Sequence, residues 1–247
     1  MKKLTKENIK QIIITGLMIV LAVLFTIAVD KIDTKLVWGK EIGFSNINIA
    51  VHQIIGTSET FDLISQITMV ISALLLGGMV FIGTYQLITG KKIKAVDSEI
   101  LLSGAVCVLM ALTYLFFEKV VINFRPVLVD GFLEASYPSS HILFSMVINI
   151  IAIDYIKVKV KNKKIMLPAV ILVGVITAVG VCSRALSGMH WLTDIVGALI
   201  ISVALVMIYF TVKGIFIKRE EISLEKPQDE TELTDKTTIS EPDDQNP

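Results

Sequence analysis

Six long apolar runs alternate with shorter polar segments along the chain. Each run is close to the ~20 residues that a helix needs to cross the hydrocarbon core of a bilayer. The pattern predicts an all-α, polytopic membrane protein with six transmembrane helices in a bundle. The predicted spans cover residues 12–29, 63–87, 100–117, 140–156, 165–181 and 191–210.

The segment between the first two spans, residues 30–61, is a mixed loop. Its portion 47–55 has the pattern of a short amphipathic helix lying along the membrane surface. His52 belongs to this portion, and we interpret it as structural or interfacial. Gly77 and Gly78 lie within the second span, where small residues favour close helix packing.

The composition supports the membrane interpretation. Hydrophobic residues make up 53% of the chain and the mean hydropathy is +0.72, which excludes an ordinary soluble domain. Cys107 and Cys182 lie in or beside apolar runs and are predicted to be small buried hydrophobes, because their spacing fits neither a disulfide framework nor a zinc site. We expect no nucleic-acid partner.

Charge gives the predicted orientation. If the N-terminus is cytoplasmic, its side of the membrane receives fifteen lysines and arginines up to Arg219, against six on the other side. The positive-inside rule therefore places both termini in the cytoplasm of a cell whose plasma or inner membrane holds the chain. Residues 220–247 carry ten acids and two lysines, so residues 216–247 are predicted to form a disordered, acidic cytoplasmic tail.

Polar residues that are costly near a bilayer cluster between the last two spans. This stretch, residues 182–194, contains Arg184, Gly188, His190 and Asp194. Histidine and aspartate four residues apart would share one face of a helix. A carboxylate that accepts one imidazole N–H leaves the other ring nitrogen free to attack.

Two further loops bring polar residues to the same predicted face. Ser139 and Ser140 can cap the fourth span, whose N-terminus suits a phosphate, and His141 can act as a general acid. Arg125 and Arg184 offer planar forks of donors to phosphate oxygens. No residue cluster has metal-ligand spacing, so we expect metal-independent phosphoryl transfer without a cofactor.

The motifs have a family resemblance. Ser-Arg-x-x-x-Gly-x-His-x-x-x-Asp at 183–194, Pro-Ser-Ser-His at 138–141 and Arg-Pro at 125–126 resemble the type-2 phosphatidic acid phosphatase superfamily of membrane lipid phosphatases. The chain departs from the family pattern at two positions. Ser140 stands where the family usually has Gly, and Glu118 stands where the family has a Lys, with Lys119 one residue later.

The resemblance implies roles for individual residues. His190 would be the nucleophile that forms a phosphohistidine, Asp194 its relay partner and His141 the acid. The implied phosphate ligands are Arg125, Ser139, Ser140, Gly188 through its backbone N–H, Arg184 and, as the candidate replacement for the family Lys, Lys119. The phosphatase domain would cover residues 1–215, followed by the tail.

The predicted function is hydrolysis of a lipid phosphomonoester or pyrophosphate at the extracytoplasmic face. Candidate substrates are undecaprenyl pyrophosphate, which we favour, phosphatidylglycerol phosphate and phosphatidic acid. Two alternatives share the motifs or the fold: a lipid phosphotransferase, and a non-catalytic lipid-binding or transport protein. The partners expected are the lipid phosphate and the bilayer itself.

Overall fold

The computed structural model describes residues 4–129 and 131–217. Within them, seven α-helices run from Lys6–Lys31 (α1), Ser45–Ile55 (α2), Glu59–Gly90 (α3), Ser98–Lys119 (α4), Ser140–Lys159 (α5), Lys163–Leu186 (α6) and Leu192–Val212 (α7). A small antiparallel hairpin pairs Lys35–Val37 (β1) with Lys40–Ile42 (β2). The predicted disordered tail falls, from residue 218 onward, outside the described residues.

Six of the described helices are long and apolar enough to cross a membrane. They are all except α2, and they confirm the six predicted spans and the all-α fold of a multi-pass membrane protein. Several helices extend beyond the apolar runs, because Ser, Thr or Asn residues cap them in the polar flanks; Ser58, for example, accepts from the Phe61 N–H at the start of α3. The short helix expected at 47–55 is present as α2.

The centre of the bundle is formed by α5 and α7, which are the most buried spans. They pack against each other, with α1 against α7 and both α3 and α6 against α5. The outer helices expose many apolar side chains, as expected where lipid rather than water surrounds the protein. The ends of α5 and α7 are consequently the best-anchored positions in the molecule.

Ionic contacts join the helices at the end of α5 that is remote from Ser140. The Asp154 carboxylate accepts from the Tyr209 hydroxyl at 2.8 Å and from Lys213 Nζ at 2.5 Å. Lys159 Nζ donates to the Asp97 carboxylate at 2.7 Å. Asp154 therefore links α5 to the end of α7.

Two expectations about small residues are wrong. A Cβ built on Gly77 or Gly78 would meet no described atom within 4 Å, so these glycines do not mark a close helix contact. Close contacts occur instead at Gly180, beside Thr68, and at Gly197, beside Tyr137. Cys182 is exposed on α6 and not buried, because its side of that helix faces away from the bundle.

Gly197 is predicted to be intolerant of any side chain. A Cβ there would lie 2.3 Å from the ring of Tyr137, which is buried and precedes Pro138 at the entry to α5. Gly197→Ala should lower stability by about 1–3 kcal/mol through overpacking. Gly77→Ala is the matched control and should be neutral or stabilising, because alanine is the better helix former. Thermal unfolding in detergent of both variants would test this; equal melting temperatures would contradict it.

Candidate active site

Three segments meet at one end of the bundle: the start of α3, the loop that leads into α5, and the turn between α6 and α7. The α4–α5 loop folds back on itself, with Arg125 N–H donating to the Glu134 carbonyl at 3.0 Å and Ser136 N–H donating to the Asn123 carbonyl at 2.9 Å. The α6–α7 turn is tied to α3, since Ser58 N–H donates to the Ser187 carbonyl at 3.0 Å. The three polar motifs of the sequence are thus brought to one place.

His190 lies buried at the centre of this region. Its Nδ1 is 3.0 Å from the Ser136 carbonyl oxygen, and its Nε2 is 2.9 Å from Arg184 Nη2. A carbonyl can only accept a hydrogen bond and a guanidinium can only donate one. These two partners therefore fix the neutral tautomer that carries its proton on Nδ1 and its lone pair on Nε2.

The environment of His190 also keeps the imidazole neutral. Burial, followed by the positive charge of Arg184, lowers its pKa from 6.5 to about 4, against the opposing effect of Asp194. A neutral imidazole with a free lone pair has the electronic state that a nucleophile requires.

The contact expected between His190 and Asp194 takes a different form. The two residues do not share a helix face, because His190 lies in the turn before α7 begins at Leu192. The Asp194 Oδ2 atom is 3.7 Å from His190 Nδ1, which is too long for a hydrogen bond. It instead accepts from the Trp191 N–H at 3.0 Å and so caps the start of α7.

The turn that separates His190 from the helix depends on Gly188. Its φ is +68°, and a Cβ there would lie 1.9 Å from the Gly56 carbonyl oxygen. Only glycine combines this left-handed backbone with so close an approach. Gly188 therefore forms the turn that separates α6 from α7. Because His190 lies in this turn and not in α7, the spacing of an α-helix does not apply to His190 and Asp194.

Two buried asparagines that the sequence reasoning missed hold Asp194 in place. Asn123 Nδ2 donates to Asp194 Oδ1 at 2.9 Å, and Asn123 Oδ1 accepts from Gly43 N–H at 3.1 Å. Asn48 accepts from Thr193 N–H at 3.1 Å and donates to the Gly43 carbonyl at 2.7 Å. The available signal was an isolated asparagine in otherwise apolar surroundings.

The two arginines predicted to bind phosphate are both ion-paired in this structure. Arg184, which is 2% exposed, pairs with Asp62 of α3, a residue that the motifs did not indicate. Arg125 Nε is 3.1 Å from Glu134 Oε2, and its Nη1 donates to the Met189 carbonyl at 3.5 Å. Both guanidinium groups are thereby oriented near His190.

Ser139 occupies the predicted N-cap position of α5, but its hydroxyl makes no capping hydrogen bond. Among the described residues, the buried hydroxyls of Ser136 and Ser139 and the Nδ1 atom of His141 have no hydrogen-bond partner. Unsatisfied polar groups of this kind are unusual in a folded protein. Together with the free N–H groups at the start of α5, the Ser139 hydroxyl and the His141 Nδ1 atom form a set of donors that suits an oxyanion.

A cavity of about 310 Å³ lies directly beside these groups. Its polar lining includes Glu118, Arg125, Glu134, Ser136, Ser140 and His190. Lys119 is exposed at the end of α4 and does not line the cavity, whereas Glu118 does. The structure therefore does not bring Lys119 together with the other predicted phosphate ligands.

No group of three or more His, Cys, Asp or Glu side chains in residues 4–129 and 131–217 is placed to hold a metal ion. The chemistry that this arrangement supports is attack by the Nε2 atom of His190 on an anionic centre held by arginine and N–H donors.

Comparisons with known proteins agree with the motifs. The model of the PAP2 superfamily matches residues 100–217. The fold is similar to the crystal structure of a transmembrane PAP2-type phosphatidylglycerolphosphate phosphatase from Bacillus subtilis, with a TM-score of 0.56 and 19% sequence identity. That similarity covers 86% of this chain and 98% of the other. A comparison with curated proteins finds no significant match.

Asn123 is predicted to be needed for the stability of the site. Asn123→Ala would leave the buried Asp194 carboxylate and the Gly43 N–H each without a partner, at a cost of about 1–3 kcal/mol. Asn46→Ala, at an exposed position that bonds Asp33, is the control and should cost much less. Thermal unfolding would measure the difference, and equal effects of the two substitutions would refute the assigned role.

Proposed function

We propose, from the membership of residues 100–217 in the PAP2 superfamily, that the chain is an integral-membrane lipid phosphatase that works through a phosphohistidine on His190. The observation that carries this proposal is the hydrogen bonding of the imidazole. The His190 Nδ1–H donates to the Ser136 carbonyl, and the Nε2 lone pair faces the Arg184 guanidinium. The same guanidinium could donate hydrogen bonds to a phosphate bound at Nε2.

In the proposed first step, Nε2 of His190 attacks phosphorus while the bond from phosphorus to the lipid oxygen breaks. His141 gives its proton to that leaving oxygen. The imidazole becomes positive as the nitrogen–phosphorus bond forms, and the Ser136 carbonyl and the nearby Asp194 carboxylate stabilise this charge. Water then gives a proton to His141 and attacks phosphorus, the nitrogen–phosphorus bond breaks, and inorganic phosphate and neutral His190 are released.

Arg184, Arg125 and the start of α5 are proposed to hold the phosphate oxygens. Because Arg184 Nη2 lies 2.9 Å from Nε2, a phosphoryl group on that nitrogen would be next to the guanidinium. The hydroxyls of Ser139 and Ser140, together with the backbone N–H of Gly188, would complete the donor set. Lys119 is left out, since it is exposed at the last residue of α4 and is not among the residues that surround His190.

An apolar groove supports a lipid as the substrate. It has a volume of about 460 Å³, lies between α3, α4 and α5, and shares Tyr114 and Ser140 with the polar cavity. Other parts of its wall are formed by Val70, Met110 and Phe144. A chain in this groove would place its phosphate in the cavity without leaving the hydrocarbon, so the lipid would enter sideways from the membrane.

The proposed orientation follows the distribution of lysines and arginines. With both termini in the cytoplasm of a cell, the catalytic region lies at the extracytoplasmic face of the cell membrane. Residues 1–215 would form the phosphatase domain. The candidate substrates are phosphatidylglycerol phosphate, on which the Bacillus subtilis relative acts according to its name, phosphatidic acid and undecaprenyl pyrophosphate.

His190→Ala should abolish phosphate release by removing the nucleophile. We expect a loss of at least about 10³-fold from each lipid that the wild type hydrolyses, measured in detergent with EDTA present throughout. Brief incubation with a ³²P-labelled substrate should leave an acid-labile label on the wild type and none on His190→Ala. Release that persists in the variant, or that needs an added metal ion, would disprove the proposed mechanism.

The pH dependence should reflect the lowered pKa of His190. Protonation removes the Nε2 lone pair, so activity should be lost as the pH falls through the folded-state value of about 4 and not at 6.5. At pH 5 the nucleophile should remain about 90% neutral, against about 3% for an unperturbed histidine. The measurement is kcat/KM from pH 4 to 8, corrected for ionisation of the free lipid phosphate. An acid limb centred near 6.5 would contradict the assignment.

A further inference from the structure

The cavity beside His190 is acidic, although its proposed substrate is an anion. Glu118 and Glu134 both line it, and the one basic side chain in its lining, Arg125, is already paired with Glu134. Arg184 behind the cavity is likewise paired with Asp62. The arginines at the site are therefore matched or outnumbered by carboxylates before a phosphate arrives.

An unused polar group lies in the same wall. Ser136 is 2% exposed, lines the cavity, and its hydroxyl has no partner among the described residues. A buried hydroxyl without a partner indicates a position at which a polar group of a ligand belongs. The cavity thus offers the Ser136 hydroxyl and the Glu118 carboxylate to the part of the substrate that lies beyond the phosphate.

We infer that this site takes a lipid phosphomonoester whose leaving group carries hydroxyl or ammonium donors next to the phosphoester oxygen. The inference rests on the proposed function and names the substrate class of that same site. Carboxylates only accept hydrogen bonds. Glu134 is already paired with Arg125, so Glu118 is the carboxylate of the lining that needs a donor opposite it when a ligand fills the cavity. An amino-alcohol or polyol head supplies those donors and, where it carries an ammonium, offsets the surplus of negative charge.

The same geometry disfavours a diphosphate. A second phosphate group would occupy the space that Glu118 and Glu134 line, and like charges in a partly enclosed site repel each other. A phosphate ester whose leaving group has no donor would leave Glu118 and Ser136 unmatched. The inference therefore replaces undecaprenyl pyrophosphate, favoured on sequence grounds, with a donor-bearing monoester.

Position 118 is the point at which this preference can be changed. Glu118 is exposed at the last turn of α4 and does not take part in the Arg125–Glu134 ion pair. Glu118→Gln removes the charge while keeping the shape, and Glu118→Lys reverses the charge. Glu41→Gln, at an exposed position on β2 that does not line the cavity, is the matched control.

The experiment measures kcat/KM for phosphate release, in detergent, from five lipids. Sphinganine 1-phosphate offers an ammonium and a hydroxyl, ceramide 1-phosphate and phosphatidylglycerol phosphate offer hydroxyls without an ammonium, phosphatidic acid offers neither, and undecaprenyl pyrophosphate brings a second phosphate. We expect at least one donor-bearing lipid to exceed phosphatidic acid by about tenfold or more, which is the size of one hydrogen bond to a charged group. The comparison of sphinganine 1-phosphate with ceramide 1-phosphate shows whether the donor that the site prefers is an ammonium or a hydroxyl.

Glu118→Gln should reduce severalfold the ratio of kcat/KM for the preferred donor-bearing lipid to kcat/KM for phosphatidic acid. Glu118→Lys should reduce the same ratio and also raise phosphate release from undecaprenyl pyrophosphate. Glu41→Gln should change neither quantity. A wild type that prefers phosphatidic acid or the pyrophosphate, or a ratio unaffected by Glu118→Gln, would overturn the inference while leaving the phosphatase assignment in place. Release from none of the lipids, or release that survives in His190→Ala, would instead reject the proposed function, and this inference with it.

Discussion

The position of His190 between a carbonyl oxygen and a guanidinium is the constraint on which the rest of the site depends. One contact fixes where its proton resides and the other fixes what its lone pair faces. Each partner is supplied by a different segment, Ser136 by the α4–α5 loop and Arg184 by the last turn of α6. A catalytic geometry for this histidine therefore exists only when three separate parts of the chain are correctly packed.

Packing of that kind is provided by buried amides and by close backbone contacts, not by apolar burial alone. Asn123 joins the Gly43 backbone, next to β2, to the Asp194 side chain. Asn48 joins the same backbone to the Thr193 N–H at the start of α7. In a buried setting an unmade hydrogen bond costs more than a made one contributes, so such a network specifies one arrangement. The hairpin and α2, which add little to the bundle, thereby serve to position Asp194.

The sequence predicted the spans well because a bilayer requires a certain length and an apolar composition, and both can be recognised from the sequence alone. It also indicated the polar motifs that the structure places at one end of the bundle, since charged groups between apolar runs are few. The assumption of helical spacing for His190 and Asp194 was wrong, because the left-handed turn at Gly188 precedes the helix. Asp62 and the two asparagines lie far from the motifs along the chain, so only the folded structure could reveal that they touch them.

Helix α3 connects the two parts of the proposed binding region. Near its start, Asp62 pairs with Arg184, and further along the same helix Met69, Val70 and Ala73 form part of the apolar groove. The Nη1 atom of Arg184 is paired with Asp62, so a phosphate beside His190 would take the remaining donors of that guanidinium. In the proposed function, the lipid chain would contact α3 about two turns from Asp62. One helix would therefore both hold the arginine that faces the phosphate and form part of the wall that takes the chain.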